Sequence, residues 1–148
     1  MGMNVLILSA AGLMLGAEPT DTKAVAKELK QLKGTWVVES MEYLGKPVPS
    51  KYYKNHRLII GDDTIVTKQG KKVLARDKFT INPAKTPRWI DRTVTRGPKK
   101  GHVIRGIYKL EGKTLMICAP DTGKKRPLDF VTKAESDLIL VTLRRVKS

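Results

Sequence analysis

The chain has 148 residues, 29 Lys and Arg against 14 Asp and Glu, a formal net charge of +15, one Cys and 41% apolar residues. That length allows a single domain with a modest core, and the apolar content argues for a folded chain. A large multidomain enzyme is excluded, and one Cys with two His cannot supply a disulfide scaffold or a zinc finger.

Val5 to Leu15 is an apolar run of eleven residues followed by Gly16-Ala17 and then the polar Glu18-Pro19. It is too short to span a bilayer as a helix but has the length of a signal-peptide core with a small residue at the cut. Residues 1–17 are therefore expected to be a signal peptide, and the mature protein to be periplasmic or extracellular. Since those residues are uncharged, their removal would leave the whole charge on the remainder. Residues 18–33 form an N-terminal segment with a short helix over Thr22 to Leu32. Thr20 or Asp21 caps it, Val25, Leu29 and Leu32 make one apolar face, and Lys23, Lys27 and Lys30 occupy the other.

From Gly34 the helical period gives way to short strands separated by turn residues. The predicted strands are Thr35–Leu44, Arg57–Ile60, Thr64–Lys68, Val73–Ile81, Trp89–Thr95, His102–Leu110, Thr114–Ala119, Pro127–Val131 and Leu138–Val146, with an irregular helical turn at Ser50–Asn55. Eight or nine strands with tight turns predict an all-β fold, a small antiparallel barrel over residues 34–148 in which closure leaves no sheet edge exposed. Alternation within strands assigns faces. Arg88, Ile90, Arg92, Val94 and Arg96 share one side of their strand, and three arginines mark it as the solvent side. Asp91 is then expected inside, beside Trp89. In the next strand Arg105 and Lys109 mark the outside and leave Ile104, Gly106, Tyr108 and Leu110 within. A buried carboxylate needs a partner; Arg126 and Arg144 are the available cations, and the Tyr108 hydroxyl is a further donor.

No familiar catalytic set is present. There is no Gly-x-Ser-x-Gly element, and Gly123-Lys124-Lys125 lacks the upstream glycine and the Ser or Thr of a phosphate loop. His56 and His102 have no companion ligands, so no metal and no cofactor is expected. Cys118 sits in an apolar strand, where a thiol behaves as a small hydrophobe. Four basic clusters stand out: Lys71-Lys72, Lys99-Lys100, Lys124-Lys125-Arg126 and Arg144-Arg145-Lys147. The first three lie in turns, and turns at one end of a barrel can form one patch that attracts polyanions. Aromatic platforms for nucleic acid are sparse, at 5% aromatic residues.

Several segments carry a family resemblance. Leu32-Lys33-Gly34-Thr35-Trp36-Val37-Val38, Gly45-Lys46-Pro47-Val48-Pro49, Thr86-Pro87-Arg88-Trp89-Ile90-Asp91, the Gly106 to Cys118 stretch, Arg126-Pro127-Leu128-Asp129-Phe130 and the closing Arg144-Arg145 together resemble a small exported protein family expanded in planctomycete bacteria. The resemblance covers about Leu29 to Arg145 and implies a lipocalin-like barrel with no established enzymatic activity or ligand. Gly34-x-Trp36 alone also resembles the opening strand of lipocalins, in which a Trp at the closed end packs under an Arg from the last strand. That implies a barrel-closing pair of Trp36 and Arg144, although strand parity leaves Arg144 and Arg145 open. Trp89 stands where the family often has a small residue, and would fill interior space.

The first functional expectation is thus a binding module holding a small apolar or amphipathic ligand in the barrel, with Trp89, Asp91, Tyr108 and Arg126 as ligand-binding residues. The second is a structural or interaction domain that meets anionic envelope polymers or lipid headgroups through Lys71, Lys72, Lys99, Lys100, Lys124 and Lys125. An enzyme built on Asp91, Tyr108 and Arg126 is the weakest reading, because no nucleophile, metal or cofactor signal accompanies them.

Overall fold

A computed structural model describes residues 21–122 and 125–147. The Val5–Leu15 run with its expected cleavage point, Thr20 and Lys124 lie outside the described residues. Helix α1 covers Thr22–Leu32, and its cap is Asp21, whose carboxylate accepts hydrogen bonds from the Lys23 amide at 3.0 Å and the Ala24 amide at 3.4 Å. Capping of this kind contributes about 1 kcal/mol. The helix presents Val25, Glu28, Leu29 and Leu32 to the rest of the chain.

Nine strands follow among the described residues: β1 (Gly34–Tyr43), β2 (Lys46–Pro47), β3 (His56–Ile60), β4 (Thr64–Gln69), β5 (Lys72–Asn82), β6 (Arg88–Val94), β7 (Val103–Glu111), β8 (Thr114–Pro120) and β9 (Leu138–Arg145). From β3 to β9 each pairs antiparallel with its successor, β1 pairs with β3, and β9 returns to β1 along Trp36–Tyr43. Eight strands thereby close into a barrel, with β2 a two-residue appendage of β1. The expected all-β, lipocalin-like barrel behind a short helix is the architecture found. The predicted strand Pro127–Val131 is not a strand; it lies in the 121–137 connection between β8 and β9, a strap that runs over the outer wall.

Because neighbouring strands are antiparallel, their connections alternate between the two barrel ends. α1 sits at the closed end, where Leu32 and Trp36 are fully buried. The connections β1–β3, β4–β5, β6–β7 and β8–β9 all leave from the opposite, open end. The main core fills the closed half of the barrel with Leu32, Trp36, Ile60, Ile65, Phe79, Ile90, Tyr108, Leu115 and Leu143. Each fully buried Leu or Ile contributes about 1.5–3 kcal/mol relative to exposure. A second, smaller core lies outside the barrel, where Ile107, Cys118 and Leu140 on the outer faces of β7–β9 pack with Trp89, Leu138 and with Phe130 of the strap.

Candidate functional site: the barrel lumen and its open end

The four expected ligand-binding residues separate onto two faces of the sheet. On β6 it is Ile90, 2% exposed, that enters the core with Tyr108, so Arg88, Arg92 and Val94 share its inward side and Trp89 and Asp91 point outward. This reverses the expected faces of β6. Carboxylates from elsewhere in the chain meet both: Glu28 of α1 lies 3.1 Å from Arg88, which stays exposed at the closed rim, and Asp77 of β5 lies 3.8 Å from the more deeply placed Arg92.

Asp91 and Arg126 do pair, as the buried-carboxylate argument required, but on the outer wall. The Arg126 guanidinium donates to both Asp91 oxygens, at 2.6 and 3.2 Å, and to the Gly106 carbonyl at 2.7 Å, and it stacks 4.0 Å from the Trp89 ring. This forked, stacked geometry suits arginine alone. It pins the strap over the second core. Trp89 therefore fills no interior space, and Trp89, Asp91 and Arg126 form a structural clasp rather than a wall of the lumen. Beneath the strap Cys118 is fully buried, and desolvation, followed by the nearby Asp129 and Glu42 carboxylates, pushes its thiol up to about 11. Such a thiol is inert at neutral pH.

Tyr108 does face inward, yet it serves the closed end. Its hydroxyl donates to Glu28 Oε1 at 3.1 Å, the oxygen that Arg88 also reaches, so the three groups tie α1 to the barrel floor. Burial, with Glu28 next in importance, raises the phenol well above its ordinary value. Glu28 was not singled out in the sequence, although it stands on the same helical face as Val25, Leu29 and Leu32 and is the acidic residue there.

The barrel-closing cation is Arg145, not Arg144. Arg145 lies 4.3 Å from the Trp36 ring and donates to the Lys33 carbonyl at 2.8 Å and to the Gln31 carbonyl, capping the C-terminus of α1. Trp36 in turn donates from Nε1 to the Leu32 carbonyl at 2.8 Å. Arg144 alternates to the outer face, where it meets Glu39 at 2.9 Å in solvent. Gly34 completes the arrangement: its φ of +137° is one that L side chains rarely adopt, and a Cβ there would stand 2.8 Å from the Arg145 Nη1 atom, which would have to shift.

Above the packed half the barrel remains hollow. A cavity of about 250 Å³ opens from the lumen toward the open end, walled by Val38, Leu58, Ile104, Ile117, Val141 and Leu143, with Thr67 and Arg92 as inner polar groups and His56 and Asp121 toward the rim. A bulge between Val38 and Ser40 resets the side-chain parity of β1, which lets both Val38 and Met41 line it. The size exceeds the roughly 150 Å³ that holds a benzene-sized molecule and falls just under the usual range of about 300 Å³ upward for drug-sized ligands. Arg92 and Ile104 also line a larger cleft of about 490 Å³ between the β4–β5 and β6–β7 hairpin ends.

Arg92 is the one cation that lines this lumen among the described residues. Its separation of 3.8 Å from Asp77 is too long for a hydrogen bond, so the guanidinium keeps donors free to face the cavity. Burial raises the Asp77 carboxyl above its ordinary range, with Arg92 opposing the rise; burial likewise lowers Arg92, opposed by Asp77. The arrangement can receive a small molecule with an apolar body and one anionic group.

The basic turns gather at the same end. Lys71 and Lys72 at the β4–β5 turn and Lys99 and Lys100 of the β6–β7 turn are exposed there, while Lys125 of the strap is exposed next to Arg126. Among the described residues no cluster of His, Cys, Asp and Glu has metal-binding geometry, and no helix is long and apolar enough to cross a membrane. The chain matches no protein-family model, no curated protein and no solved structure.

Proposed function

We propose that the protein is an exported, non-enzymatic binding module, of the kind its planctomycete family resemblance suggests, that holds a small amphipathic anion in the barrel lumen. The observation that carries this reading is the 250 Å³ lumen cavity with aliphatic walls and Arg92 at its inner side. Apolar walls supply affinity without direction, and one charged donor group fixes orientation. The buried carboxylate of Asp77 holds the guanidinium in place, and a ligand anion supplies the hydrogen-bond acceptors that Asp77, at 3.8 Å, does not. Native mass spectrometry of the purified protein, followed by organic extraction, tests the reading: a bound small anion is expected in the wild type and at lower occupancy in Ile117→Trp, which narrows the lumen. Repeated finding of an empty wild-type protein, and no uptake of added amphiphilic anions, refutes it.

One observation favours contact with anionic envelope polymers or lipid headgroups as a second activity of the same molecule. The turns bearing Lys71, Lys72, Lys99 and Lys100 leave the barrel at the end on which the cavity opens. Retention on a polyanion column that falls steeply with salt is expected, and retention indifferent to salt removes this second activity.

A further inference from the structure

We infer that the open end of the barrel is a docking face for an anionic lipid bilayer, so that the lumen opens onto the membrane surface. The inference rests on the surface-contact reading above and not on a ligand in the lumen.

Charge on this end is one-signed over most of the rim. Residues 43–60, 64–76 and 92–110, which hold three of its four connections, contain no Asp or Glu. The acids near this end are Glu42, one residue from the end of β1, and Asp121, Asp129, Glu135 and Asp137 of the strap. The closed end differs, with Asp62 and Asp63 in the β3–β4 turn and Glu111 in the β7–β8 turn.

Charge alone would suit any polyanion. What selects a bilayer is the apolar surface set among the lysines. Tyr52 is 61% exposed, Leu74 43% and Val73 37%, and all three stand on the open-end rim beside Lys51, Lys71 and Lys72. The rim is continuous there: the Gly70 amide donates to the Asn55 carbonyl at 3.0 Å and joins the turn that carries Tyr52 to the β4–β5 hairpin. Val73 and Leu74 then line the cleft whose far side is Pro98 and Lys99. Exposed aliphatic side chains gain nothing against a hydrated polysaccharide or nucleic acid. At a membrane they enter the boundary between headgroups and acyl chains while the flanking lysines meet lipid phosphates. Lys51 lies 5.0 Å from the Tyr52 ring, a cation beside an aromatic suited to the interface.

The test is co-sedimentation of the full chain with vesicles of phosphatidylcholine alone or mixed with phosphatidylglycerol, alongside retention on a soluble polyphosphate matrix. Binding to the anionic vesicles is expected, with a salt-resistant part. Each basic side chain near such a surface is worth about fivefold in affinity, so the Lys71→Gln, Lys72→Gln, Lys99→Gln, Lys100→Gln variant should lose at least ~100-fold. Val73→Ser with Leu74→Ser should remove the salt-resistant part, a loss of roughly tenfold or more. Lys23→Gln, Lys27→Gln, Lys30→Gln and Lys113→Gln together remove equal charge from the closed end and should bind almost as the wild type does. All these positions are exposed, and circular dichroism verifies that each variant folds. Equal loss from the closed-end variant overturns the orientation. Binding to polyphosphate without binding to vesicles overturns the membrane inference and leaves the surface-contact reading standing; binding to neither overturns both.

Discussion

Replacing Arg145 with Ala should be far more damaging than the same change at its neighbour Arg144. Arg145 stacks on Trp36, which is fully buried, and donates to two carbonyls at the end of α1. A cation over an indole face gives about 1 kcal/mol at a half-buried position. Two charge-assisted bonds to backbone give roughly 1 kcal/mol each after allowance for solvent access. The sum is about 3 kcal/mol, and loss of the contacts also frees the last turn of α1, whose carbonyls then lack a cation. Arg144 meets Glu39 with both side chains about half exposed, 57% and 45%, so its removal should cost no more than about 0.5 kcal/mol. Urea unfolding separates the two: with a slope of about 1–3 kcal/mol/M, Arg145→Ala should lower the midpoint by roughly 1–3 M and Arg144→Ala by a few tenths of a molar. Arg145→Lys keeps charge over the ring but loses the fork, and should fall between. Equal midpoints for the two alanine variants would refute the assignment of Arg145 as the closing cation.

Gly34→Ala should destabilise by about 2 kcal/mol through its positive φ and the clash with Arg145, and less in an Arg145→Ala background, a coupling that a double-mutant cycle in urea reads directly. Arg126→Ala should release the strap; Cys118, unlabelled by alkylation in the folded wild type, should then label, as followed by intact mass, and continued protection would mean that the clasp does not hold the strap. Stability should fall as pH rises above about 10, because the raised Tyr108 phenol stays protonated in the native state while the unfolded chain ionises; the contribution is present below the unfolded value and lost above it. Tyr108→Phe should flatten that alkaline slope in pH-dependent unfolding, at the expense of the Glu28 hydrogen bond at neutral pH. An unchanged slope would move its origin to another group.

How much of this was legible follows from where each signal originates. The helix limits, the cap choice including Asp21 and the strand–turn rhythm are local properties, and α1 begins and ends at the residues that the apolar spacing marked. Closure of the barrel follows from the number and spacing of strands. The faces of β6 were misread because charge was taken as a mark of solvent, when Arg88 is neutralised by a carboxylate sixty residues earlier and Arg92 by one on the neighbouring strand. Parity in β9 was illegible for a related reason. Its outer residues Leu138 and Leu140 are apolar because the strap gives the outer wall a core of its own, so both faces read as buried. The same second core takes Phe130 from Pro127–Val131, a mostly apolar stretch that reads as a strand although it pairs with none. Asp91 and Arg126 were rightly joined by the demand that a shielded carboxylate find a cation, and that demand carries no information about which side of the sheet they occupy. Arg92 was missed as the lumen cation through the same reversal.

The central claim, a lumen that holds a small amphipathic anion against Arg92, is met most directly by fluorescence titration with anilinonaphthalene sulfonate, whose apolar rings and single sulfonate match the cavity. Binding should saturate at one molecule per chain in the wild type, weaken by at least ~10-fold when Arg92→Leu and Asp77→Leu remove the ion pair together, and weaken also in Ile117→Trp, which narrows the lumen. It should survive in the Lys71→Gln, Lys72→Gln, Lys99→Gln, Lys100→Gln variant, which leaves the lumen intact. No saturable binding to the wild type, or binding that persists undiminished in the narrowed Ile117→Trp barrel, would contradict the account.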